Sequence, residues 1–137
     1  MSRRDCRVQS FILIYQHEFH QGFDITEATA LHTDGMFLTD DEMAFVKAQT
    51  AGTIENLEYI DGIIRKYISG WTFERISKID TAILRLSIYE LAFMPEIPTG
   101  VSINEAVEIA KQYGTDEAPA FVNGLLSSAV KEIRGQG

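Results

Sequence analysis

Ile79-Asp80-Thr81-Ala82-Ile83-Leu84-Arg85-Leu86-Ser87-Ile88-Tyr89-Glu90-Leu91 is the stretch from which the fold can be read. It predicts an apolar helix from about Asp80 to Phe93, and no two-residue alternation competes with that assignment. Asp80 is a candidate cap for its start. Arg85 and Glu90 are charges inside an apolar helix, and charges near a core are normally paired, so a structural ion pair or capping network is expected of them.

Working outward, the same helical period recurs on both sides. Val8, Phe11, Ile12, Tyr15 and Phe19 predict an amphipathic helix from about Arg4 to Phe19, closed by Gly22. Asp24 can cap a short second helix through about His32. Thr39 and Glu42 have capping-box spacing and open a third, long helix over Asp40 to Ile68, weakened at Gly52 and Gly62 and closed by Gly70. A brief helical turn over Phe73 to Ser77 leads into the quoted stretch. Beyond it, Pro95 and Pro98 impose an extended link. Ser102 and Glu105 predict a second capping box, with Ile103, Ala106, Val107 and Ala110 inward and Gly114 as a left-handed stop. Pro119 fits the first turn of a last helix through Phe121, Val122, Leu125, Leu126, Ala129, Val130 and Ile133. The expected architecture is all-α, with about seven helices in one domain over residues 1–137. It is divided into packed lobes of about 1–69 and 70–137, with the division near Ser69 to Trp71.

Composition limits what such a domain can do. The chain has 137 residues, 45% of them hydrophobic and 23% charged, which suits one globular core and no disordered tail. No apolar run approaches the roughly 20 residues that span a bilayer, and the N-terminus lacks a signal peptide's apolar block, so a cytoplasmic protein is expected. Cys6 is the only cysteine, so it forms no internal disulfide and builds no structural zinc site. The net charge is −8, all of it contributed between Asp24 and Asp61, where nine acids face the single base Lys47. Arg3, Arg4 and Arg7 against Asp5 make a small basic start to an acidic protein.

Four blocks, in order, resemble one family. The opening helix from Arg7 to Tyr15, the stretch Ile79 to Leu91, Val101-Ser102-Ile103-Asn104-Glu105-Ala106-Val107-Glu108-Ile109-Ala110-Lys111, and Phe121-Val122-Asn123-Gly124-Leu125-Leu126 are similar to the successive signatures of the NusB family. The resemblance covers nearly the whole chain, and the last three blocks together are specific. It implies an all-α fold of two packed helical lobes. It also implies an RNA-binding transcription antitermination factor that pairs with a small-subunit ribosomal protein on boxA-type single-stranded RNA and works with the elongation complex. Family members differ in whether they form homodimers, and the sequence leaves that open.

The resemblance implies an RNA site of Arg3, Arg4, Arg7, Tyr113, Glu117, Phe121 and Tyr15. The residue types suit single-stranded RNA, which is held by cations along its phosphates and by aromatic faces under its bases. Tyr113 and Phe121 flank the Gly114 to Ala118 loop, which leads into a helix N-terminus. Glu117 stands where the family often has Asp and can accept from a base amino group. Phe121 shares a stripe with Leu125, and Tyr15 with Phe11 and Phe19, so both also suit a core role. Glu74 and Asp80 match positions near the ribosomal-protein contact, and acids suit a basic partner.

Nothing points to catalysis, and no cofactor is expected. His17-Glu18-Phe19-His20 spaces its histidines three apart, not the four of a zinc-protease helix. Cys6 lies beside arginines but has no partner for a thiolate mechanism. There is no phosphate-binding glycine loop and no nucleophile elbow. Two alternatives stand beside the RNA-binding reading. One is a NusB-fold module that binds only protein. The other is kinship with the NusB-like domain of RNA-methyltransferases, for which a catalytic domain is expected after Ile133 and none follows.

Overall fold

The computed structural model describes residues 1–20, 22–70 and 72–135; Trp71, in the expected lobe division, lies outside them. They form α1 (Arg3–His17), α2 (Ile25–Thr33), α3 (Asp40–Glu55), α4 (Leu57–Tyr67), a 3-10 turn (Phe73–Arg75), α5 (Lys78–Phe93), α6 (Thr99–Tyr113) and α7 (Ala118–Arg134), with no strand among them.

α5 organises the packing. Ile83, Leu84, Ile88 and Leu91 are almost fully buried, and the helix touches α1, α3, α4, α6 and α7. Burying each such side chain contributes about 1.5 to 3 kcal/mol. Its two aliphatic hydroxyls are satisfied locally: Thr81 Oγ1 donates to the Ser77 carbonyl at 2.9 Å and Ser87 Oγ to the Ile83 carbonyl at 2.7 Å. The main core joins α1, α4, α5, α6 and α7, while a smaller one gathers Cys6, Leu13, Phe45 and Val46 against Ala28, Met94 and Ile97.

The two expected charges of α5 are paired, each with another helix. Glu90 accepts from Arg7 of α1, from Gln49 Nε2 of α3 at 2.6 Å and from Ser102 Oγ of α6 at 2.8 Å. Arg85 donates to Asp61 at 2.8 and 2.9 Å and to Glu18 at 2.7 Å. Burial works against the Glu18 carboxylate, but the hydrogen bonds and charges of Arg85 and Lys78 outweigh it and hold its pKa below the ordinary value. Arg134 closes the other end of α5, donating to the carbonyls of Leu91, Met94 and Ile97.

Five local expectations are corrected. α1 stops at His17, so Phe19 lies beyond it. The long third helix is two helices, because Asn56 leaves the helical region at φ −117°, ψ 22° while its side chain donates to the Gly52 carbonyl at 2.7 Å. α5 is capped by Ser77, whose Oγ accepts from the Asp80 amide at 3.0 Å; Asp80 sits in the first turn instead. The Ser102–Glu105 box does not form, because α6 has already begun after Pro98, leaving Ser102 buried against Glu90 and Glu105 paired with Arg4. Gly114 is extended, at φ −93° and ψ −176°, not left-handed. A Cβ there would lie 2.5 Å from the Ala118 Cβ, so close approach of α6 to α7 is what requires glycine. The caps at Ser2, Asp24 and Thr39, the last a full capping box, restrain the N-terminal helices.

Candidate functional site

The turn from α6 into α7 faces the start of α5. Gly114 lets the two helices approach, and no side chain caps α7. Between these segments lies a cleft of about 610 Å³ lined by Arg75, Ser77, Asp80, Thr115, Glu117 and Phe121. Asp80 Oδ1 is buried there with no hydrogen-bond partner among the described residues. Burial pushes the Asp80 carboxyl pKa up, and Ser77 offsets part of that. A carboxylate oxygen without a donor is an acceptor waiting for one. Arg75, exposed on the cleft wall, has no ion pair among the described residues. The site therefore offers an acceptor, a cation and the half-buried ring of Phe121 in one concavity.

An aromatic row runs beside it. Tyr113 meets Phe11 at 5.2 Å between ring centroids, Phe11 meets Tyr15 at 6.5 Å, and Tyr15 meets Phe19 edge-on at 5.0 Å. Phe11 is buried, but the ends of the row are open, Tyr113 being 36% and Phe19 56% exposed. The pairs Arg4–Glu105 and Phe11–Tyr113 advance together along both helices, so α1 and α6 run in the same direction. Arg4, Val8, Glu108, Lys111 and Gln112 line a shallow groove between them. Seven residues of helix separate Arg4 from Phe11, about 10 Å of rise. Lys78, bonded to Glu18 at 3.1 Å, ties the far end of α1 to the start of α5.

The expected site residues are thus only partly gathered. Asp80, Glu117 and Phe121 share the cleft, and Tyr113 and Tyr15 share the aromatic row. The arginines are spread and occupied. Arg3 bonds Asp41 at 2.8 Å and lies 4.1 Å over the Phe45 ring, while Arg4 bonds Glu105 at 2.8 Å. Arg7 is not a surface cation: it is 6% exposed and its guanidinium is turned to Glu90. Glu74 stands outside the cleft lining, 3.8 Å from Arg65. Phe19, Arg75 and Lys111 belong to the same surface but escaped sequence reasoning. The period placed Phe19 inward with Tyr15, and only the early end of α1 turns its ring out.

Among the described residues no three His, Cys, Asp or Glu side chains cluster to hold a metal, and no helix is long and apolar enough to cross a membrane.

Comparison with known proteins gives one consistent answer. The NusB family model matches residues 4–131. The transcription antitermination protein NusB of Agathobacter rectalis is 41% identical over 128 residues, covering 93% of this chain and 98% of that protein. The T. maritima NusB structure superposes with a TM-score of 0.88 at 35% identity, covering 99% of this chain and 95% of that one. A structure of the antitermination factors NusB and NusE in complex with dsRNA gives a TM-score of 0.85 at 25% identity, covering 95% and 96%. With a family match over almost its whole length and end-to-end relatives above 40% identity, the chain belongs to the NusB family.

Proposed function

We propose that this protein is a transcription antitermination factor that pairs with a small-subunit ribosomal protein to bind boxA-like single-stranded RNA in nascent transcripts. It acts in the cytoplasm, with the elongation complex, and by binding, without catalysis. The observation that supports this most is the end-to-end likeness to the NusB of a NusB–NusE–RNA complex. The geometry supplies a route. Bases stack on Tyr113, with Tyr15 behind it, and on Phe121 in the cleft, each stack contributing about 1 to 3 kcal/mol. Glu117 accepts from a base amino group. Arg3 and Arg4 reach phosphates by leaving their surface carboxylates, a small loss since exposed pairs contribute about 0 to 1 kcal/mol. Arg7 serves the site only by fixing α1. Glu74 and Asp80 face the ribosomal protein, with the unpartnered Asp80 oxygen receiving a cation or amide from it.

One domain over residues 1–137 carries this site, with lobes of about 1–69 and 70–137 held together by α5, which packs on helices from both.

The test is fluorescence anisotropy of a labelled boxA-like strand and a scrambled control, with and without the ribosomal protein. Preferential binding of the boxA-like strand, tightened by the partner, is expected. A second reading, a module that binds protein alone, is favoured by one observation: Arg3, Arg4 and Arg7 all have carboxylate partners already. Equal binding of both strands with the partner present would select it.

A further inference from the structure

A second surface, at the opposite end of α5 from the cleft, carries chemistry that RNA binding does not use. Phe93 stacks on Tyr89 with ring centroids 5.2 Å apart, and Tyr59 of α4 meets Phe93 edge-on at 6.0 Å. Phe93 is 45% and Tyr59 43% exposed, so two of the three rings are open to a partner. Thirteen residues of helix separate Phe93 from Asp80, about 20 Å of rise, which puts the patch well away from the cleft.

Two local features build it. The break at Asn56 starts α4 afresh and brings Tyr59 to Phe93. Gly52 of α3 lets the Tyr89 ring lie against the backbone, since a Cβ there would sit 2.3 Å from its phenol carbon.

The charges that bear on the Tyr89 ring have one sign. Glu55 and Glu96 lie near enough to add to the burial that pushes the Tyr89 phenol pKa up. Glu58 is exposed one residue from Tyr59. Among the described residues, none of these three carboxylates takes part in an ion pair, whereas Glu18, Asp61, Glu90 and Glu105 each have an arginine. Phosphate is repelled here. A guanidinium or ammonium is attracted twice, by ring faces and by free carboxylates, and the aliphatic stem of Arg or Lys packs on the rings.

We propose that Tyr59, Tyr89 and Phe93, with Glu55 and Glu96, form a second docking surface for an arginine- or lysine-bearing segment of a partner protein, independent of the RNA and ribosomal-protein site. The occupant is set by charge complementarity. The surface is aromatic and acidic; Arg134, at the same end of α5, is committed to the carbonyls of Leu91, Met94 and Ile97, and Glu55 and Tyr59 belong to the Asp24 to Asp61 segment that carries the net charge of −8.

The experiment titrates the full chain against a fluorescein-labelled Arg-Gly repeat peptide and a Glu-Gly repeat control, reading anisotropy at two salt concentrations. The Arg-Gly peptide alone is expected to bind. Phe93→Ser and Tyr59→Ser should each weaken it at least about fivefold, and E55Q/E96Q should flatten its salt dependence, with circular dichroism and boxA-strand binding unchanged. Addition of the ribosomal protein should leave peptide binding intact. Equal affinity of Phe93→Ser and the parent, or weakening by E27Q as large as by E55Q/E96Q, would reduce the surface to general acidity and overturn the proposal. Competition by the ribosomal protein would overturn its independence. A homodimer in sedimentation velocity that Phe93→Ser dissolves would make the patch a self-interface, overturning the assigned occupant.

Discussion

Arg7 and Glu90 meet inside the protein as a two-point ion pair, with Nε 2.9 Å from Oε2 and Nη2 2.9 Å from Oε1. Gln49 and Ser102 fill the remaining positions around the carboxylate, so one acid joins α1, α3, α5 and α6. Removing one partner leaves a buried charge unpaired, which costs about 3 to 5 kcal/mol, a large share of the 5 to 15 that hold a typical domain together. Arg7→Ala should therefore lower the denaturant midpoint sharply and lower RNA binding only as far as it unfolds the protein. Chemical denaturation alongside anisotropy checks this. Full stability with weakened RNA binding would put Arg7 in the interface after all.

Glu105 and Arg4 make the opposite case. Their bond is 2.8 Å long but lies at the surface, with the Arg4 side chain 52% exposed. Glu105→Gln removes the carboxylate charge from a cation at the α1–α6 groove. RNA binding should tighten and the salt slope steepen by about one counterion, while stability changes little. Arg4→Ala should flatten the same slope. If neither substitution moves the slope, the nucleic acid does not pass along this groove.

Tyr113→Ala removes the open end of the aromatic row. Its ring packs at a tilt against Phe11, a contact contributing about 0.5 to 1.5 kcal/mol to the fold. A base stacked on it contributes about 1 to 3 kcal/mol, or roughly 5- to 150-fold in affinity. RNA affinity should fall further than stability, as anisotropy and thermal melting together will report. The reverse order makes Tyr113 a core ring whose exposed edge is idle.

What could be read from the sequence follows the range of the forces involved. Period and caps are local, and they located every helix except α4, which was merged with α3; Thr39 with Glu42 even forms the expected box. Breaks were harder, because Asn56 interrupts the third helix with its side-chain amide donating to the Gly52 carbonyl while its neighbours keep the helical period. Capping by spacing misled at Ser102, whose hydroxyl finds a buried acid twelve residues back instead of its own helix end. The aromatic and loop members Tyr113, Glu117 and Phe121 could be named in advance from the family resemblance, and they lie close together in sequence around Gly114. The arginines could be named but not placed, because their partners Asp41, Glu90 and Glu105 are distant in the chain. Phe19 and Arg75 were invisible for the same reason: exposure and shared walls are properties of packing.

Gly114→Ala probes how tightly the cleft is built. The added methyl would meet the Ala118 Cβ at 2.5 Å and the Ala110 carbonyl at 3.0 Å, and neither can swing away. Overpacking of this kind costs about 1 to 3 kcal/mol. The α6–α7 turn must open, which moves Glu117 and Phe121 relative to Asp80. A lower melting temperature together with weakened RNA binding is expected, and unaltered melting would mean that the two helices have room to spare.

Asp80 gives the pH test. Its carboxyl pKa is raised above the ordinary value of 3.8, chiefly by burial, so the folded state holds the proton more tightly than the unfolded state does. Folding then takes up protons between the ordinary and the raised pKa, and this residue's contribution to stability falls as pH climbs through that window. Below it the carboxyl is neutral in both states, and the contribution is fully present. Asp80→Asn removes the titration, so the stability of the parent relative to the variant should decline as pH climbs past the ordinary value and level off above the raised pKa. Denaturation midpoints of both proteins across that range supply the difference curve. A curve rising with pH would mean that the first turn of α5 and the Ser77 hydroxyl stabilise the carboxylate more than burial opposes it. Adding the ribosomal protein should flatten the decline, because a donor reaching Oδ1 lowers the folded-state pKa back toward its ordinary value.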